Sequence, residues 1–168
     1  MQSVLRRSIS FLSFLFILFL SQGAQAVWQD NLILSSAVEG QLFNQGKPIA
    51  GARVKRILHW NMEQEARTEM TTTKADGKFQ FPEVRGAADF GFLARLFHVP
   101  VVSQEIFLLQ PTEELILYSK TRSSYEPRFE TGFDEIQFSC DLSSRKLING
   151  VLPSLDCNIR KIKSGASR

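Results

Sequence analysis

Residues Gly40 to Val54 read GQLFNQGKPIAGARV, and a second stretch, DGKFQF, runs from Asp76 to Phe81. Together they spell strand, tight Gly/Pro turn, strand, and then an Asp-Gly turn feeding a strand in which Phe79 and Phe81 share one face while Lys78 and Gln80 take the other. A period of two punctuated by turn residues is a β signal, and it carries no chemistry of its own.

The rhythm extends outward from this stretch. Ala37 to Phe43 forms the first expected strand, and Asn44 to Gly51 supplies a turn marked by Gly46, Pro48 and Gly51. Ala52 to Trp60 follows, but the alternation of Ala52 and Val54 with Arg53 and Lys55 loses parity near Arg56-Ile57, which predicts a bulge or an edge position. Glu65 to Thr72 places Ala66, Thr68 and Met70 opposite Glu65, Arg67 and Glu69, as in a half-exposed strand. Val101 to Leu109 and Glu113 to Lys120 are apolar on both faces and are expected at the centre of a sheet. Near the end, Ile136, Phe138, Cys140 and Leu142 share one face, and Leu155, Cys157 and Ile159 share another.

Two segments break the pattern. Between Gly86 and Pro100, Phe90, Leu93, Leu96 and Phe97 have the spacing of one helix face, with Asp89 as a cap, so a short helix is predicted. It would cover an open edge or present a partner surface. Thr121 to Gly132 is polar, contains Pro127 and reads as a long connection. The expected architecture is all-β: an antiparallel β-sandwich of about 7–9 strands with one short helix.

The first residues carry the three parts of an export signal: Arg6 and Arg7, an apolar run from Ile9 to Leu20, and a small-residue exit at Ala24-Gln25-Ala26. Residues 1–26 are therefore expected to be cleaved, with 27–36 as a lead-in, 37–162 as one β domain and 163–168 as a flexible tail. A retained anchor is the alternative, but the uninterrupted apolar run is short for a bilayer span, so no span is expected after cleavage. The expected location is the periplasm of a Gram-negative bacterium, or the extracellular space. Without Arg6 and Arg7, 18 basic residues face 17 acidic ones, a net charge of +1, and no basic stripe points to nucleic acid.

Two cysteines in an exported chain point to a Cys140–Cys157 disulfide, with two buried free thiols as the alternative. Asn149-Gly150 is a favoured hairpin turn, yet a strict two-residue turn there sets Cys140 opposite Ile159, so the bridge needs a longer or bulged loop.

The run GQLFNQGKPIAGARV followed by TTTKADGKFQFPEV resembles the signature of carboxypeptidase-regulatory-like and transthyretin-like (prealbumin-like) β-sandwich modules. Gly40, Gly46, Pro48, Ile49, Gly51, Ala52 and Val54 match its first two elements, and Asp76, Gly77, Phe79 and Phe81 its third. The likeness runs from Val38 to Val84 and implies a transthyretin-like sandwich; from Arg85 onward the chain departs from that pattern and looks more like a small family of exported bacterial proteins of unknown function. It implies no catalytic residue, since such modules serve as accessory domains, spacers and binding appendages.

No catalytic, cofactor or metal constellation is read from the residues. His59 and His98 lack metal-site spacing, and Glu113-Glu114 and Asp134-Glu135 occupy adjacent strand positions that face opposite ways. Asp76 beside Glu83 would suit calcium, but an Asp-Gly turn accounts for Asp76. Trp28, Trp60, Tyr118 and Tyr125 would suit a sugar-stacking platform if they were exposed together. The expected function is non-enzymatic: a binding or structural module of the cell envelope with a protein partner and no cofactor. The partner surface is placed on the helix-like segment and its flanks, with Phe90, Leu93, Leu96 and Phe97, or on the polar Arg122 to Arg128 connection, with Tyr125. The alternatives are a periplasmic inhibitor or immunity protein against an envelope-targeted enzyme, and a carbohydrate-binding accessory module.

Overall fold

The computed structural model describes residues 30–88 and 99–160. Their strands are β1 (Asp30–Ser35), β2 (Ala37–Asn44), β3 (Lys47–Pro48), β4 (Arg53–Trp60), β5 (Arg67–Thr72), β6 (Lys78–Phe81), β7 (Val84–Ala88), β8 (Val102–Leu109), β9 (Glu114–Arg122), β10 (Glu135–Ile148) and β11 (Leu152–Ile159). Period-two burial is plain in β2, β4, β6 and β8, where inward positions are buried and outward ones are not. The protein is all-β, and no helix occurs among the described residues. The expected helix, with Phe90, Leu93, Leu96 and Phe97, lies outside them, as do the signal segment and the tail. The expected lead-in instead contributes β1, which pairs antiparallel with β7.

The main sheet runs β3-β2-β10-β11-β9-β8-β4-β5, with β6 also paired to β2. It is mixed, which corrects the expectation of a wholly antiparallel sheet. β2 and β10 are parallel from Ala37↔Glu135 to Phe43↔Asp141, and β11 meets β9 in parallel at Ser154↔Ile116. Alternation cannot reveal this, because a half-buried strand shows the same period whichever way its neighbour runs. With β1 and β7 the strands also exceed the expected 7–9, since short pairings such as β3 leave little trace in a pattern.

The sheet curls so that its β6-β2-β10-β11 half faces its β9-β8-β4-β5 half across one core. Val38, Leu42, Phe79, Phe81, Ile136, Phe138, Cys140 and Leu155 meet Val54, Ile106, Leu108, Leu115, Leu117 and Tyr118 there. Each fully buried aliphatic or Phe side chain stabilises by about 1.5–3 kcal/mol. Tyr118 stacks on Phe138 at 5.9 Å across the two halves, and Phe79 packs edge-on to Phe138 at 5.8 Å. A smaller cluster of Leu34, Leu58, Trp60 and Val102 closes one end.

The parity break at Arg56 is not a bulge. β4 keeps continuous register with β5 and β8, and Arg56 occupies an inward position with no solvent exposure. Its guanidinium pairs with Glu69, donates to Pro82 O at 2.9 Å and lies 4.8 Å from the Phe81 ring centre. It thereby ties β4 and β5 to the end of β6 where the curl leaves those strands unpaired. Arg67 makes a parallel tie, donating to Arg85 O at 2.8 Å. On β5 it is Arg67, Glu69 and Thr71 that are half-buried, while Met70 is 47% exposed. Inward-facing charges on an edge strand discourage pairing with other chains.

The cysteines form a disulfide with Cα atoms 4.4 Å apart, directly across β10 and β11. Two irregularities supply the register that a strict turn lacks. Ile148 pairs with Leu152 around Asn149-Gly150-Val151, and between Cys140 and Arg145 β10 bulges against the shorter Leu155–Cys157 span of β11.

Candidate functional site

Outward residues of the first half of the sheet assemble into two polar rungs. Strand register aligns Gln80, Glu39 and Gln137 in one and Lys78, Gln41, Ser139 and Asn158 in the other, and Arg160 joins the first by donating its N–H to Gln137 O at 2.9 Å. The rungs span β6, β2, β10 and β11, about 14 Å across at ordinary strand spacing. Glu39, Gln41, Lys78, Gln137, Ser139, Asn158 and Arg160 line an open groove of about 410 Å³, with the Gly40 and Phe138 backbone as floor. The face exists because Val38, Leu42, Phe79, Phe81, Ile136, Phe138 and Cys140 turn the other way into the core.

Hydrogen bonds orient much of this ladder. Glu39 accepts from Lys78 Nζ at 3.5 Å and Gln80 Nε2 at 3.2 Å. Gln41 Nε2 donates to Asp76 O at 2.9 Å. Gln137 Nε2 donates to Glu135 at 3.0 Å and its Oε1 accepts from Arg160 Nη1 at 2.8 Å, while the Arg160 guanidinium lies 4.4 Å from the Phe133 ring centre. Among the described residues Ser139 and Asn158 have no side-chain partner, so the β10–β11 half of the second rung offers a hydroxyl and an amide to a ligand. The arrangement can bind through directional hydrogen bonds and three charges, the Glu39 carboxylate and the Lys78 and Arg160 cations. It places no general base beside a nucleophile.

A second polar cluster is internal. Arg122 and Glu130 pair at 2.9 Å with side chains 2% and 5% exposed. Arg122 also donates to Ser124 O at 2.6 Å and Glu126 O at 2.7 Å, and Glu130 accepts from Ser36 Oγ at 2.9 Å. Ser35 Oγ donates to Gln104 Oε1 beside them. Burial and the Glu130 charge push the Tyr118 phenol well above its ordinary pKa. These bonds fold the β9–β10 connection back onto the end of β9 at Arg122 and onto Ser36 between β1 and β2, which anchors the segment expected as a long loop.

The helix-like part of the sequence-derived partner surface lies outside the described residues; Tyr125, on the polar connection, is described, and its hydroxyl accepts from Trp60 Nε1 at 2.9 Å. Trp60 and Tyr118 are buried and Trp28 lies outside the described residues, so no exposed aromatic platform forms among the described residues. His59 stands exposed on β4, and Asp76 Oδ1 accepts the Lys78 N–H at 3.0 Å, serving its own turn. No group of three or more metal-ligating side chains is found among the described residues. The signature residues are structural. Gly40 lies across from Phe79, and Gly46, Gly51 and Gly77 adopt positive φ in turns. The rungs were missed because each side chain reads only as the solvent side of its own strand, and the parallel β2–β10 pairing that gathers them has no local signal. No helix among the described residues is long and apolar enough to cross a membrane.

The description "Domain of unknown function (DUF6795)" belongs to a family that matches residues 38–145, from the start of β2 into the far half of β10. No curated protein and no solved structure shows a significant match to the chain. With the match covering well over half of the sequence, the chain belongs to this family of domains of unknown function.

Proposed function

We propose that this protein is an exported, non-catalytic binding module of the cell envelope, built as a transthyretin-like sandwich, and that the two-rung face is where its protein partner docks. The single observation that carries the reading is the groove across β6, β2, β10 and β11 with Ser139 and Asn158 unpartnered on its β10–β11 side. Its volume of about 410 Å³ falls within the range of ligand sites, but its polar lining suits a hydrogen-bonding polypeptide segment better than an apolar small molecule. The export-type N-terminal sequence and the disulfide support an oxidising compartment. The carbohydrate alternative has less support, because Trp60 and Tyr118, two of the aromatic side chains it relies on, are buried.

The test is crosslinking in intact producing cells, with a photoreactive residue at Ser139 or Asn158 and a control at Ser119 on the other half of the sheet. One reproducible protein adduct from the groove positions and none from Ser119 is the expected result. Equal adducts from all three, or none, would overturn the proposal.

A further inference from the structure

The β10–β11 hairpin ends in an exposed apolar tip. Leu147, Val151 and Leu152 are 60%, 76% and 50% exposed around the Asn149-Gly150 turn, whose residues both have positive φ. Large aliphatic side chains at a loop tip are costly to leave in water and are often interaction sites. Directly behind them on β10 stand Arg145 and Lys146, with side chains 51% and 50% exposed. We propose that this tip docks on an anionic lipid surface, with Leu147, Val151 and Leu152 entering the headgroup boundary and Arg145 and Lys146 at the level of the phosphates.

Three observations select this occupant. Charge complementarity is the first: a cationic collar behind an apolar tip matches the order of phosphate and acyl chain met on entering a bilayer. Arg145 and Lys146 are paired to Glu113 and Asp156, whose side chains are 29% and 72% exposed; the Lys146–Asp156 pair is a surface pair that contributes little, so lipid phosphates compete for Lys146 first. The second is size. A knob only two strands wide offers far less than the ~800 Å² per partner of a stable protein interface. A second copy is further disfavoured because edge pairing of β10 with itself would bring Arg145 and Lys146 against their counterparts.

The third is position. Ser154↔Ile116 sets the tip beside the start of β9, the end of the sheet that also holds Arg53 and Leu109. Val99, whose carbonyl accepts from Asn61 next to Trp60, and Arg160, beyond Phe138, are at the other end. The tip is thus set apart from that end by the length of the strands, on the order of 25 Å.

The experiment is flotation of the protein, as isolated from producing cells, with vesicles of phosphatidylcholine alone or with phosphatidylglycerol added. Co-flotation with the anionic vesicles is expected, falling as salt rises. The variant L147D/V151D should lose it by roughly tenfold or more, and R145Q/K146Q should weaken it and flatten its salt dependence. Neither pair is in the core, and an intact Cys140–Cys157 bond with unchanged far-UV dichroism verifies folding. V151W gives an independent readout, a blue shift of the new indole's emission when anionic vesicles are added. No flotation with either vesicle, flotation unchanged in L147D/V151D, or concentration-dependent self-association through the tip in place of vesicle binding would each overturn the proposal.

Discussion

Phe79 lies directly across from Gly40, and a Cβ built on Gly40 would stand 2.1 Å from the Phe79 ring. The glycine of the signature is thus a seat for the aromatic ring of its own third element. Gly40→Ala should cost about 1–3 kcal/mol through overpacking, measured as a loss of unfolding free energy in urea. Glu130 matters for a different reason. Glu130→Ala leaves the Arg122 guanidinium buried without its counter-charge and should destabilise by about 3–5 kcal/mol in the same measurement. Of these, Gly40 and Phe79 were legible as a motif, whereas Arg56 and Arg122 were not: sequence patterning reads an arginine as outward, and only the surrounding carbonyls and carboxylates make an inward one tolerable.

At the scale of the element, the β10 bulge and the β2–β3 turn share one carboxylate. Asp141 accepts the N–H groups of Gln45 at 3.1 Å, Gly46 at 2.8 Å and Ser143 at 2.9 Å, together with the Ser143 hydroxyl at 2.6 Å. Ser143 first, then Gly46 and Gln45, hold this carboxyl well below the ordinary carboxylate range. A folded pKa below the unfolded one means that the contribution to stability is complete above the unfolded value near 3.9 and is lost as pH falls below it. Asp141→Ala should therefore lower the melting temperature at pH 7 and lower it less at pH 2, and equal losses at both would refute the role. The bulge also decides the disulfide. Alternation put both cysteines on inward faces, but register depends on extra residues in β10 that no periodicity reveals. With the cysteines 17 positions apart in sequence, replacing both by Ser should cost about 3 kcal/mol in the chain-entropy description, read as a shift in the urea midpoint.

For the whole molecule, the decisive fact is the curl of a mixed sheet that brings β6, β2, β10 and β11, drawn from distant parts of the chain, into one outward polar face. Strand identities were readable because a period of two survives in any half-buried strand; strand order was not, because long-range pairing is set by the shared core of Phe79, Phe138 and Tyr118 rather than by local pattern. Hydrogen–deuterium exchange on the protein, with and without a solubilised envelope extract of its producing cells, tests the binding role of this face most directly. The expected result is added protection confined to residues 37–44, 78–81, 135–141 and 156–160. Protection confined instead to β4, β5 and β8, or no change at any peptide, would contradict it.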